Sequence, residues 1–175
     1  MKIEKTNRKK QRVLRKQMQT ENSIICGIHN PATLGCVFYE LEGGGVGIRF
    51  TAGRYHEGHG HMMHGGLIAS ILDEVMGRAL NNAGIPKEKP FVTAEMTTYF
   101  LCPIAVGAQM YAFGRMERTE GRRCYSYGEI VNEDGVIMAK AEGTYVMVDK
   151  AGDDKSENYE GVPTLPLEEG DPQEL

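Results

Sequence analysis

The chain has 175 residues, enough for one domain with a sizeable core, and a formal net charge of −4 that is unevenly placed. Residues 1–19 carry eight Lys/Arg and one Glu, residues 151–175 carry eight Asp/Glu and one Lys, and the middle is nearly balanced, so the folded part lacks the basic face that nucleic-acid binding requires. No apolar run approaches the ~18 residues of a membrane span, and no apolar stretch after the basic N-terminus reads as a leader. Cys26, Cys36, Cys102 and Cys124 are scattered without C-x-x-C spacing and read as reduced thiols of a cytoplasmic protein, neither a disulfide framework nor a zinc site.

Residues 1–25 read as a charged helix or arm, with only Val13, Leu14 and Met18 for an apolar stripe. A turn-rich segment, Cys26 to Gly35, precedes two strands, Cys36 to Leu41 and Val46 to Ala52. The Glu42-Gly43-Gly44-Gly45 link between them reads as a hairpin turn, because no helix and no Gly-Lys-Ser/Thr follows that would make it a phosphate cradle. An irregular loop, residues 53–63, runs into a helix that starts at His64-Gly65-Gly66 and stops near Asn81-Asn82-Ala83-Gly84, with Pro86 beyond. Four further strands are expected over Phe91 to Cys102, Val106 to Thr119, Arg122 to Asn132 and Val136 to Val148. Residues 150–175 are acidic, contain Gly and Pro, and read as a disordered tail.

The helix organises the chain. Its apolar residues fall at 67/68, 71/72, 75/76 and 79/80 and cover an arc wider than a surface helix needs. One such helix and six antiparallel-looking strands predict an α+β domain over residues 26–149, a curved six-stranded sheet wrapped around the helix. Its N-terminus presents unpaired backbone N–H groups, and two acids, Asp73 and Glu74, lie two turns in. Periodicity places both at the edges of the apolar arc and does not choose between them. Their neighbours do: Glu74 stands four residues before Arg78, the favourable ion-pair spacing, whereas Asp73 has no basic residue at i+3 or i+4. A half-buried acid without a counter-ion costs free energy, which makes Asp73 the candidate working residue.

His56, His59, His61 and His64 fall within nine residues and invite a metal reading. Their spacing is neither i, i+4 nor accompanied by cysteine, so they are read instead as turn-shaping (His64) and cleft-lining (His56, His59, His61), with no metal or cofactor. Arg115, Arg118, Arg122 and Arg123 flank the Glu120-Gly121 turn, where guanidinium forks suit phosphate groups, against the plainer reading of a solvated hairpin tip. No Gly-x-Ser-x-Gly is present, which argues against an acyl-serine hydrolase.

Three motifs in order, Cys26-Gly27…Asn30-Pro31…Leu34-Gly35, then His64-Gly65-Gly66 with Asp73 at the ninth position after the histidine, then Val92-Thr93-Ala94-Glu95-Met96 and Tyr99-Phe100-Leu101-Cys102-Pro103, resemble the hotdog-fold acyl-CoA thioesterase superfamily. The resemblance covers roughly residues 26–148 and is nearest to the branch of phenylacetyl-CoA and medium-to-long-chain acyl-CoA thioesterases. It implies hydrolysis of an acyl-CoA, or acyl-carrier-protein, thioester. It further implies a catalytic carboxylate at Asp73, an oxyanion contact from the N–H of Gly65 or Gly66, and a hydroxyl at Thr93 that positions the attacking group. A site shared between two protomers, in a homodimer or a dimer of dimers, is implied too. One departure is visible: where some relatives place an asparagine six residues before the motif histidine, this chain has Gly58. An acyl slot is expected near Met62, Met63 and Met76, since methionine adapts to varied chains. The competing readings are a non-catalytic acyl-CoA-binding regulator and a structural dimer module on the same fold.

Overall fold

The structure is a computed structural model that describes residues 3–81, 83, 90–148 and 163–175. In chain order the elements are β1 (Val13–Gln17), β2 (Tyr39–Leu41), β3 (Val46–Thr51), a short 3-10 turn (Arg54–His56), α1 (Gly65–Leu80), β4 (Phe91–Phe100), β5 (Gln109–Glu120), β6 (Arg123–Val131), β7 (Ile137–Met147) and β8 (Thr164–Leu165). All eight strands form one sheet in the order β4-β7-β6-β5-β3-β2-β1-β8, with every pairing antiparallel. The sheet wraps one face of α1, which is the hotdog arrangement. Among the described residues no helix is long and apolar enough to cross a membrane.

The six expected strands are all present, and two more extend the sheet. Residues 13–17 form a strand rather than the expected helix. The physical reason is the open edge of β2. It supplies backbone partners for Val13, Arg15 and Lys16, and Val13 and Gln17 are buried in the process. A helix with so thin an apolar stripe would have had little to bury. Residues 163–175 are likewise packed rather than free. β8 pairs with β1, and Leu175 joins Val13, Tyr39, Leu41, Phe113, Val131 and Ile137 in a second apolar cluster on the outer face of the sheet. Lys16 bridges Glu168 (2.6 Å) and Asp171 (3.3 Å), and Asp171 also accepts from the Tyr39 hydroxyl (2.8 Å). The acidic end thus neutralises part of the basic beginning. Residues 150–162 of the expected tail, and Asn82, Gly84 and Pro86 of the expected helix stop, lie outside the described residues.

The main core lies between α1 and the inner face of the sheet. Ile68, Ile71, Leu72, Val75, Met76, Ala79 and Leu80 supply the helix side at i, i+3, i+4, i+7 spacing. On the sheet side, three strand glycines bring the helix close. A Cβ on Gly114 would stand 2.1 Å from the Val75 carbonyl oxygen, one on Gly128 2.9 Å from Met76 Cγ, and one on Gly143 3.2 Å from Met76 Cε. Gly114 pairs with Gly128, and Gly143 pairs with Ser126 two residues along on the same face, so the three form a shallow trough across β5, β6 and β7. Gly44 and Gly45, both at φ 82°, make the tight hairpin between β2 and β3. Strand β4 is an edge, with no partner on its outer side among the described residues, and it leaves Val92, Tyr99 and Phe100 exposed.

Filling the trough should unseat the helix. Gly114→Ala is expected to destabilise the fold by about 1–3 kcal/mol, because the overlap is with backbone that has nowhere to move. A Tm lower by several degrees in calorimetry checks this, and an unchanged Tm refutes the close-approach account.

Candidate active site

His64 starts the helix. Its backbone is extended (φ −63°, ψ 130°), and its Nδ1 accepts the Gly66 N–H at 2.9 Å, while its carbonyl accepts from Leu67 and Ile68. The histidine is therefore an N-cap, the turn-shaping role expected of it. Capping also separates the two glycines. Gly66 N–H is satisfied, whereas Gly65 N–H donates to no described residue. Gly65 is the donor left over at the positive end of the helix. Its Cα lies against Phe100 at the far end of β4, where an added Cβ would be 3.6 Å from the ring.

Two turns on, Asp73 is half-buried and faces β4 and β7. Its Oδ1 accepts two hydrogen bonds, from Thr93 Oγ1 at 2.8 Å and from the Tyr145 hydroxyl at 2.9 Å. The Tyr145 hydroxyl is also 2.9 Å from the Asp73 carbonyl oxygen. Oδ2 accepts from no described residue. Thr93 and Tyr145 face each other across the β4–β7 ladder, which is why both reach the same oxygen. Burial, and then the adjacent Asp73 carboxylate, push the Tyr145 phenol far above its ordinary range, so it remains a donor.

The neighbouring acid has a different fate. Glu74 is bound by Arg78 Nε at 2.7 Å. Arg78 itself is a buried cation that also donates to the Met18 carbonyl and to Cys26 Sγ and lies 4.2 Å over the Phe38 ring. Glu74 is thus committed to compensating a buried charge, which leaves Asp73 as the acid available for chemistry. Asp73, Thr93, Tyr145, Glu74, Gly77, Arg78, Asn81, Phe91 and Thr20 line a cleft of about 260 Å³. A larger hollow of about 480 Å³ lies on the outer face of the sheet, beside Arg8, Phe113 and the β6–β7 turn, away from these groups.

A helix-start N–H and a carboxylate held by a strand hydroxyl are the features that the hotdog resemblance anticipates. Residues 60–139 match the family model of the thioesterase superfamily. The match covers 80 of the chain's 175 residues, and over them the chain is similar to that superfamily. It is 26% identical over 113 residues to acyl-coenzyme A thioesterase THEM4 of Xenopus laevis, covering 63% of this chain and 49% of that protein. The crystal structure of a thioesterase superfamily protein superposes with a TM-score of 0.66 at 27% identity, covering 71% of this chain and 59% of that one. A phenylacetic acid degradation-related protein of Ralstonia eutropha superposes at 0.57 with 26% identity, covering 66% and 86%. The chain therefore spans about half the length of the Xenopus relative.

Within this domain, the structure brings some candidates together and sets others apart. Asp73 and Thr93 meet. Gly65 sits about 12 Å along the helix axis from Asp73, eight residues at the ordinary rise. His56 is turned inward, its Nδ1 accepting the Gly53 N–H (3.0 Å) and its Nε2 facing the Ala32 carbonyl (3.3 Å), a structural role. His59 and His61 are exposed on the loop before the helix, and among the described residues no three His, Cys, Asp or Glu side chains are grouped to hold a metal ion. Met63 and Met76 are core residues, with Met76 filling the glycine trough, so only Met62 is open to solvent. Arg115 lies on the outer face, stacked 4.3 Å over Tyr127 and paired with Glu117. Arg122 and Arg123 stand at the Asp73 end of the sheet, where Arg123 and Val92 both pair with Val146. The four cysteines are free, and burial raises the Cys36 thiol to about 12. The sequence reading missed Tyr145, which lies beyond the matched residues and carries no local motif. Its one signal is the inward side of the alternation through Ala141, Gly143 and Tyr145.

Proposed function

We propose that the domain hydrolyses an acyl-CoA thioester, or the same thioester on a carrier protein, with Asp73 as general base. The observation that carries this reading is a cleft-lining carboxylate clamped through one oxygen, the other having no partner among the described residues. Oδ2 would take a proton from water as that water attacks the thioester carbonyl carbon. The oxygen's developing charge would be met by Gly65 N–H. Collapse of the tetrahedral intermediate breaks the C–S bond, and the proton held by Asp73 passes to the leaving sulfur, giving free acid and thiol. The name of the Xenopus relative supports the acyl-CoA class. Arg122 and Arg123 are suited to meet the phosphates, with His59, His61 and Met62 at the mouth. A non-catalytic regulator or a structural module would give no reason for the clamped acid.

A single protomer cannot bring both groups to one carbonyl, because about 12 Å separates Gly65 from Asp73. The edge strand offers the remedy. Gly65 touches the Phe100 end of β4, and Asp73 touches the Thr93 end. Antiparallel pairing of β4 with a second copy, about a two-fold axis at Thr97, sets Met96 opposite Thr98 and Glu95 opposite Tyr99. The bulge between Thr93 and Glu95 then brings Thr93 opposite Phe100 on the same face. Each Asp73 would face the Gly65 of the other copy, and the exposed Val92, Tyr99 and Phe100 would be covered. The homodimer so formed has two shared sites.

Four outcomes test the reading. On an acyl-CoA panel followed by free-thiol release, Asp73→Asn should lose on the order of 10²–10⁴ in kcat, while folded Glu74→Gln keeps turnover; the reverse result would reassign the base. Gly65→Pro should fold, because proline is accepted at the first helical position after an extended residue, yet lose kcat with its N–H. Co-refolding Asp73→Asn with Gly65→Pro should restore up to about a quarter of wild-type activity, since half the dimers are mixed and each has one intact site. No recovery in confirmed mixed dimers means each protomer carries a whole site. Thr97→Cys should form a disulfide-linked dimer under mild oxidant, and its failure while Glu95→Cys or Tyr99→Cys self-links would shift the two-fold.

A further inference from the structure

Tyr145 is the one group at Asp73 that no motif announces, and the fold makes room for it on both sides. Its ring lies against Gly77 on the helix, where an added Cβ would be 3.5 Å from Cε1, and against Gly143 on its own strand, where one would be 2.9 Å from Cε2. The side chain is 2% exposed, so the phenol reaches Asp73 from the interior, whereas Thr93 reaches it from the exposed edge strand. One hydroxyl spans the Asp73 carbonyl oxygen and Oδ1, both at 2.9 Å. That geometry ties the carboxylate to its own backbone and removes its freedom to rotate. No lysine or arginine contributes to the clamp among the described residues. The charged neighbours, Glu74 and Arg78, are paired with each other.

We propose that Tyr145 is a positioning residue for Asp73, holding Oδ1 so that Oδ2 is presented to the cleft. It rests on the general-base reading above and adds a residue to it. The role is orientational. A hydrogen bond from a neutral donor to a carboxylate fixes direction, and a misdirected base loses rate without losing substrate. Thr93, on a strand edge that dimerisation would cover, holds Oδ1 from the other side. With Tyr145 in place, the threonine hydroxyl is not the only restraint on the acid.

The test uses three replacements in the full chain: Tyr145→Phe, and 4-fluoro- and 4-aminophenylalanine at the same position by suppressed-codon incorporation. The fluoro ring keeps the size of tyrosine without a donor, and the amino ring restores one. We expect kcat to fall about tenfold to a hundredfold for the two donor-less rings, with KM within about twofold, and to recover substantially for the amino ring. A purely packing role predicts no difference between the fluoro and amino rings, and that result overturns the proposal, as does wild-type kcat in folded Tyr145→Phe. A readout independent of turnover separates this from the functional reading. In a thermal-stability cycle of wild type, Tyr145→Phe, Asp73→Asn and the double variant, the two changes should be strongly non-additive. Additivity overturns the positioning role. Non-additivity in a protein that hydrolyses no thioester on the panel leaves the clamp standing and sinks the assigned reaction.

Discussion

How close the helix can come to the sheet governs everything else in this molecule. Gly114, Gly128 and Gly143 remove three side chains from the inner face, and the Val75–Met76 turn of α1 settles into the space. Any Cβ there would collide with helix backbone or with the Met76 side chain, so the spacing is set by the absence of atoms rather than by an attractive contact. Asp73 is two residues before Val75 of this seat. At that height its carboxylate reaches the Thr93 hydroxyl on β4 and the Tyr145 hydroxyl on β7 together. A helix held further out would leave both bonds too long and the half-buried acid without compensation.

The same economy of contact explains the fate of the other charges along α1. Arg78 enters the interior because Glu74, the Met18 carbonyl, Cys26 Sγ and the Phe38 ring all receive it. This buried cation ties the segment from β1 to β2 to the helix, and it also holds Glu74 in an ion pair. On the outer face, the basic beginning and the acidic end of the chain meet through Lys16 with Glu168 and Asp171, over an apolar cluster that includes Leu175. Two segments that look solvated when read singly are packed because each supplies what the other lacks.

The groups proposed to do the chemistry are divided between the ends of one helix and one strand. Gly65, whose N–H has no partner among the described residues, lies beside Phe100, and the carboxylate of Asp73 lies beside Thr93. On the proposed mechanism α1 and β4 each carry one half-site at either end, and the two-fold pairing proposed for the edge strand would convert two incomplete ends into two complete ones. In that arrangement the exposed apolar residues of β4 are part of the site's construction, not a defect of the surface.

Sequence alone determined what depends on local spacing. The 3.6-residue periodicity of residues 67–80 located α1, the alternation in residues 91–148 located four strands, and Gly43-Gly44-Gly45 located a hairpin, because backbone geometry reads each pattern over a few neighbours. The Glu74–Arg78 pair, and with it Asp73 as the acid without a basic partner, was legible for the same reason, and the hotdog motifs drew attention to Gly65 and Thr93. Tertiary structure alone decided what depends on residues far apart in the chain. Val13–Gln17 became a strand because β2 offered an unpaired edge, Leu175 found a cluster assembled from five other segments, and Met63 and Met76 went to the core because the sheet closed over them. It alone freed Gly65 while capping Gly66 through the His64 ring, and it alone carried Tyr145, 72 residues along the chain, to Asp73. A hydrogen bond between distant residues leaves no periodic trace in either segment, so only the fold could disclose the second hand on the carboxylate.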